Sequence, residues 1–254
     1  MKPGAGEGRA AAGEGGGVPG PPEWVVHDEP ARCPYLEEEV ARLPLRLPSR
    51  PLTAEELAER LRRGERRQSL LLYRPSCPRC RACEAIRLDV REFSPDRTQR
   101  RVYRRGERAF EMRIGRPVAS QERVRLYNRH KRERGLLVGD DEVDLELYRD
   151  LFVPSCVDTL EITYWTGGRL AGVAICDRAA DALSAVYFYF DPDLGRLSPG
   201  VYSILKQVEL CGRWRLRYLY LGLYVRGCSA MEYKVRYLPH ERLIAGEWRR
   251  FERP

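Results

Sequence analysis

Apolar positions recur at two different spacings along the chain, and the change between them divides it. In the C-terminal part they gather into β-rich runs, Thr159 to Trp165, Arg169 to Ile175, Ala182 to Phe190 and Arg217 to Tyr224, which predict strands buried on one or both faces. Thr166-Gly167-Gly168 between the first two runs is a hairpin signal. Tyr233 to Leu238 and Leu243 to Trp248 are expected to complete the sheet. Helical spacing is found in Tyr202 to Gly212, with Ile204, Leu205 and Val208 inward. It recurs in Ser120 to Arg134, with Val124, Tyr127 and Lys131 on one side and Gly135 as the stop. Further back, Thr53-Ala54-Glu55-Glu56 is a capping box leading to Leu57 and Leu61, and Gly64 ends that helix. Leu70 to Tyr73 and Ile86 to Val90 predict short strands on either side of a cysteine cluster. The acidic stretch Asp140 to Glu146 reads as a linker or an exposed helix start.

This pattern predicts an α+β protein in three parts. Residues 1–22 hold eight glycines and nothing to fill a core, so a disordered tail is expected. Residues 23–117 form a small basic domain with the cysteine cluster, and 118–254 a mixed sheet with flanking helices. The order of three strands, loop, helix, strand resembles the acyltransferase (GNAT-type) fold. The Gly-rich pyrophosphate loop of coenzyme A users is missing from Leu194 to Gly200, which argues against that donor.

Charge sharpens the division. The formal net charge of +8 conceals 27 Lys and Arg against 12 Asp and Glu between Arg42 and Arg134, and an acidic remainder. So dense a positive block attracts polyanions, and the planar fork of arginine suits phosphate. No apolar run reaches the ~18–20 residues that cross a bilayer. The first thirty residues lack a signal peptide's apolar stretch, so a cytoplasmic chain is expected.

Eight cysteines in 254 residues are too few for a disulfide scaffold. Cys77, Cys80 and Cys83 form Cys-x2-Cys-x2-Cys, with Cys33 44 residues upstream. Three thiols at this spacing converge from one tight loop and a fourth completes a tetrahedron, for zinc or for an iron–sulfur cluster. A thiol redox pair and reduced structural cysteines are the alternatives. Arg79 and Arg81 are expected to favour the thiolates. Cys176 and Cys211 sit in apolar elements and are expected to pack. The three histidines, His27, His130 and His240, have no neighbourhood suited to a nucleophilic triad, so the chemistry should need little side-chain acid–base help.

Several blocks, in order, resemble the aminoacyl-tRNA–protein transferases, the bacterial aspartate/glutamate leucyltransferase group related to the eukaryotic arginyltransferases. They are Cys33-Pro34-Tyr35-Leu36, Leu72 to Cys83 (Leu-Tyr-Arg-Pro-Ser-Cys-Pro-Arg-Cys-Arg-Ala-Cys) and Phe93-Ser94-Pro95-Asp96-Arg97-Thr98-Gln99-Arg100-Arg101. Ala185 to Pro192, Gly200-Val201-Tyr202-Ser203, Tyr218-Leu219-Tyr220-Leu221-Gly222 and Gly227 to Lys234 follow. The likeness runs from Trp24 to Trp248. The family's Cys-Pro-Lys-Met-Arg-Tyr-Lys reads Cys228-Ser229-Ala230-Met231-Glu232-Tyr233-Lys234 here, losing two basic residues.

The resemblance implies transfer of an amino acid, leucine by the bacterial group, from aminoacyl-tRNA to proteins with N-terminal Asp or Glu, creating an N-degron. An arginyl donor and a non-enzymatic zinc-binding RNA adaptor are the competing expectations. The resemblance further implies a guanidinium that reads the acceptor carboxylate, with Arg74 the candidate. Ser198, Tyr202 and Ser203 are candidates for the acyl pocket, with Tyr187 and Tyr220 beside them. Asp191 is the candidate for orienting the amine. Arg97, Arg100, Arg101 and Lys234 are candidates for tRNA phosphates.

Overall fold

The computed structural model describes residues 20–137 and 142–253, so the expected tail, except residues 20–22, and the start of the acidic stretch lie outside the described residues. In chain order the elements are β1 (Glu23–His27), β2 (Pro30–Arg32), β3 (Val40–Arg42), β4 (Leu45–Pro48), α1 (Ala54–Arg62), β5 (Arg66–Gln68) and β6 (Leu71–Tyr73). Next come β7 (Cys83–Asp89), α2 (Arg97–Ala109), β8 (Glu111–Gly115), α3 (Gln121–Glu133), α4 (Leu145–Phe152), β9 (Thr159–Thr166), β10 (Arg169–Arg178) and β11 (Ala182–Phe190). A 3₁₀ turn (Pro192–Leu197) leads to α5 (Pro199–Arg213) and β12 (Tyr218–Val225). The chain ends with α6 (Ser229–Glu232), a second 3₁₀ turn (Tyr233–Arg236), β13 (His240–Ile244) and β14 (Glu247–Phe251).

Local chemistry sets most boundaries. The Thr53 hydroxyl accepts from the Glu56 amide while the Glu56 carboxylate accepts from the Thr53 amide, closing the capping box of α1. Gly64 (φ +79°) follows its C-cap. The β9–β10 hairpin turns on Gly167 and Gly168, both at positive φ, as a two-residue turn with right-handed strand twist requires. Ser120 caps α3, with Val124 and Tyr127 buried as expected, but His130 is buried as well.

Two sheets carry the fold. The smaller has the order β1-β4-β6-β5, and the larger, mixed sheet runs β14-β13-β7-β12-β11-β10-β9-β8. β7 and β8 come from before residue 117 but lie within the large sheet, so sheet pairing crosses the expected boundary. Helices α2 and α5 pack together over one part of the sheet. Gly106 makes this possible, because a Cβ there would sit 2.2 Å from the Tyr202 ring. Tyr233 to Leu238, expected as a strand, is instead a 3₁₀ turn and a coil. Lys234 is drawn inward there to hydrogen-bond the Leu223 carbonyl, and β13 and β14 close the sheet without it. Among the described residues no helix is long and apolar enough to cross a membrane.

His240 on β13 gives a pH signature. It is buried, its Nδ1–H donates to the Tyr237 carbonyl at 3.1 Å, and its ring stacks on Phe251. Burial pulls its pKa from 6.5 to about 4. The unfolded chain therefore takes up a proton near pH 6.5 that the fold refuses until about pH 4, so stability is lost as pH falls through that window. His240→Phe removes this contribution. Urea unfolding at several pH values should show the wild type losing stability more steeply than the variant between 6.5 and 4, and parallel curves would reject the assignment.

Candidate active site

The large sheet opens between β11 and β12. These parallel strands pair only at Ala182↔Tyr218, Leu183↔Leu219 and Ser184↔Tyr220. Beyond Ser184, β11 continues to Phe190 paired with β10, and β12 continues to Val225 paired with β7. The two diverge into a wedge whose facing backbone groups have lost their strand partners. Buried backbone groups need other partners, and cations supply two of them. Arg66, reaching from the small sheet, donates Nη2 to the Ala185 carbonyl at 3.0 Å. Lys234 donates Nζ to the Leu223 carbonyl at 2.5 Å. Gly222 lies between them at φ +88°.

Burial shapes the charges here. Lys234 is brought down to about 7 by desolvation, with the Arg66 charge adding to the effect. Arg66 is lowered for the same first reason. Tyr35, near both Arg66 and Cys228, is pushed up to about 12 by burial.

The fold disperses most of the acyl-pocket candidates. α5 starts at Pro199, three residues before the expected Tyr202, because proline at the first helical position needs no N–H partner. Tyr202 and Ser203 then fall on its buried face. The Tyr202 hydroxyl donates to Glu107 on α2 at 2.7 Å, and the Ser203 hydroxyl accepts from Tyr164 and Gln207, each at 3.1 Å. Asp191 caps the 3₁₀ turn and pairs with Arg129 at 2.9 Å. Tyr187 packs against Tyr127 and Phe152. Tyr220 accepts from Arg87 at 3.0 Å, with burial raising its pKa to about 12. Ser198 is half-buried in the left-handed region (φ 56°), its side chain capping nothing. The pairings of Tyr202, Ser203 and Asp191 are tertiary and left no mark in the linear pattern.

The cysteines draw together in part. Burial first, then the neighbouring Cys77, Cys33, Cys80 and Cys228, raise the Cys83 thiol to about 12. Arg81 donates its Nη1 to the backbone carbonyls of Cys77 and Cys80. As placed, no three His, Cys, Asp or Glu side chains among the described residues fit around a metal ion. Cys77, Cys80, Cys83 and Arg74 line a cavity of about 430 Å³. Arg74 is exposed, and its Nη1 lies 3.4 Å from the Arg63 carbonyl. Cys176 and Cys211 are fully buried, as expected.

The cationic candidates separate cleanly. Arg97, Arg100 and Arg101 are exposed on α2, and Arg104, Arg105 and Arg108 continue the same face at helical spacing. None of the six forms an ion pair with a described residue. Lys234 is the exception: it is 6% exposed and turned into the wedge, so it does not belong to a surface that meets phosphate. Arg66 was missed in the sequence because Glu65-Arg66-Arg67 reads as an ordinary charged turn.

Residues 31–101 match the family model described as Arginine-tRNA-protein transferase, N terminus, and residues 122–244 match that of its C terminus. The Aspartate/glutamate leucyltransferase of Acinetobacter baumannii is 37% identical over 224 residues, 88% of this chain and 83% of that protein. That of Chromobacterium violaceum is 36% identical over 220 residues, 86% of this chain and 90% of its own.

Proposed function

Because the chain belongs to the arginine-tRNA-protein transferase family, we propose that it transfers leucine from aminoacyl-tRNA to the N-terminal Asp or Glu of acceptor proteins. The observation that carries this reading is the 37% identity, across 88% of the chain, to a relative named for that reaction. The product carries a destabilising N-terminus that marks the acceptor for degradation, and the use of aminoacyl-tRNA places the reaction in the cytoplasm.

The chemistry asks little of the protein. The donor is an activated ester, the nucleophile is an α-amine with pKa ~7.7–8.0, and a useful fraction of that amine is neutral at pH 7. Attack forms an amide and releases the tRNA 3′-terminal hydroxyl, so no covalent enzyme intermediate is needed. Holding ester and amine together contributes up to ~7–11 kcal/mol. This agrees with His130 and His240 both being buried and bonded to backbone. The wedge between β11 and β12, a GNAT-like feature of the sheet, is where the reacting ends meet. The exposed arginines of α2 take the tRNA phosphates.

The Cys-x2-Cys-x2-Cys spacing supports a zinc or iron–sulfur site formed when Cys33, Cys77, Cys80 and Cys83 draw closer than they stand here. Metal analysis of the purified chain tests it, one site's worth of zinc or iron supporting it and none rejecting it.

The function is tested by charging tRNA separately with leucine and arginine and measuring transfer to an Asp-initiated peptide. Leucine transfer alone is expected. Arginine transfer alone changes the donor, and RNA binding without transfer of either leaves an adaptor.

A further inference from the structure

We propose that Arg66 and Lys234, facing each other across Gly222 in the β11–β12 wedge, receive the side-chain carboxylate of the acceptor's N-terminal Asp or Glu. This rests on the transferase reading and adds to it the residues that read the acceptor.

Five cationic side chains are buried among the described residues: Arg66, Arg67, Arg87, Lys206 and Lys234. Three of them have carboxylate partners. Arg67 pairs with Asp177, Arg87 with Glu241, and Lys206 with Glu107 and Glu209. Arg66 and Lys234 have none, and they are the two that meet. A buried charge without a counter-charge is costly, so two of them in one place call for an anion that arrives from outside.

The geometry of the pair suits a small carboxylate. Arg66 gives Nη2 to the Ala185 carbonyl, but its Nη1 is buried with no hydrogen-bond partner, leaving a donor of the guanidinium fork unused. Buried donors without partners are rare, and a ligand is one of the explanations they call for. Arg66 Nη2 and Lys234 Nζ lie 3.3 and 3.5 Å from the position a Cβ on Gly222 would take. Glycine there keeps the gap between the cations clear. An incoming carboxylate meets a fork and an ammonium, the donor set that binds it most strongly. It also favours the charged form of both groups, which desolvation disfavours.

Position decides which anion this is. The acidic side chain of an acceptor sits one or two methylenes from the Cα that bears the reacting amine, so its pocket must lie at the wedge where amine and ester meet. The tRNA phosphates have the exposed arginines of α2 instead. Arg74, on the surface, offers a carboxylate only a solvent-screened contact. Ser229–Glu232 and Tyr233–Arg236 follow β12 in the chain and are tied to it through Lys234.

The experiment measures leucine transfer from Leu-tRNA to peptides that differ only in an N-terminal Asp or Asn. The wild type should prefer Asp. Arg66→Gln and Lys234→Met should each raise the acceptor KM for the Asp peptide by about 30-fold or more and collapse the Asp-to-Asn preference. Leu-tRNA affinity should stay within about twofold, and Arg66→Lys should keep part of the preference. Folded variants with an unchanged Asp-to-Asn ratio overturn the proposal. So does lost Leu-tRNA affinity with an unchanged acceptor KM, which puts a tRNA phosphate in the wedge. If the substitutions do not fold, the wild-type enzyme serves: a carbodiimide-activated Asp peptide should form an amide with Lys234, mapped by mass spectrometry. Cross-links confined to other lysines reject the pocket. No transfer by the wild type with either peptide means that the transferase reading has failed, a result distinct from all of these.

Discussion

Arg67→Met is expected to lower the unfolding free energy by about 3–5 kcal/mol. Arg67 holds Asp177 with two parallel bonds, Nε to Oδ2 at 2.8 Å and Nη2 to Oδ1 at 2.9 Å. Its remaining nitrogen donates to the Ser69 carbonyl, and Thr159 donates to Asp177 Oδ1 at 2.7 Å. The side chains are 2% and 3% exposed, so water cannot take over when one partner goes. The pair also joins β5 of the small sheet to β10 of the large one, and its loss loosens the two sheets together. Denaturant melts with unchanged m-values measure the effect. The double variant Arg67→Met/Asp177→Leu should recover much of the loss, because it removes the stranded carboxylate as well. A single-variant cost below about 1 kcal/mol would show that the pair contributes little despite its burial.

The second large effect falls on binding. Replacing Arg97, Arg101 and Arg105, one line along α2, with alanine should weaken tRNA binding on the order of a hundredfold near 0.1 M salt. The slope of log K against log salt should drop by about 2–3, close to one for each lost phosphate contact. Charged and uncharged tRNA should weaken alike, because phosphate contacts do not sense the aminoacyl group. Stability should barely change: the three side chains are exposed and form no ion pair with a described residue. A triple variant with the wild-type salt slope moves the tRNA off this helix.

Much of the local structure is legible in the linear chain. The Thr53 box, the Gly167-Gly168 turn, the start of α3 at Ser120 and the apolar run of β11 depend on neighbours one to four positions apart, and all four stand where the pattern puts them. Arg97, Arg100 and Arg101 were candidates through the family resemblance, and α2, which the apolar pattern did not announce, sets them on one face. The site is less so. Tyr202 and Ser203 looked like pocket residues, but three extra residues at the start of α5 turn them onto α2 and β9. Lys234 looked like a surface cation, but the separation of β11 from β12 left a carbonyl that draws it inside.

Arg66 and Arg67 show where the line falls. By sequence they are the same residue twice, in a strand of three. The chain by itself determined their charge, but its charged-turn pattern did not announce β5, the short strand whose two-residue period points them to opposite sides. Only the tertiary structure decided that one side pairs with Asp177 on β10 and the other reaches the β11–β12 wedge, where no described carboxylate forms an ion pair with it. Side-chain periodicity is a property of the backbone, but the company a buried charge keeps depends on which distant strands pair and how far along they stay paired.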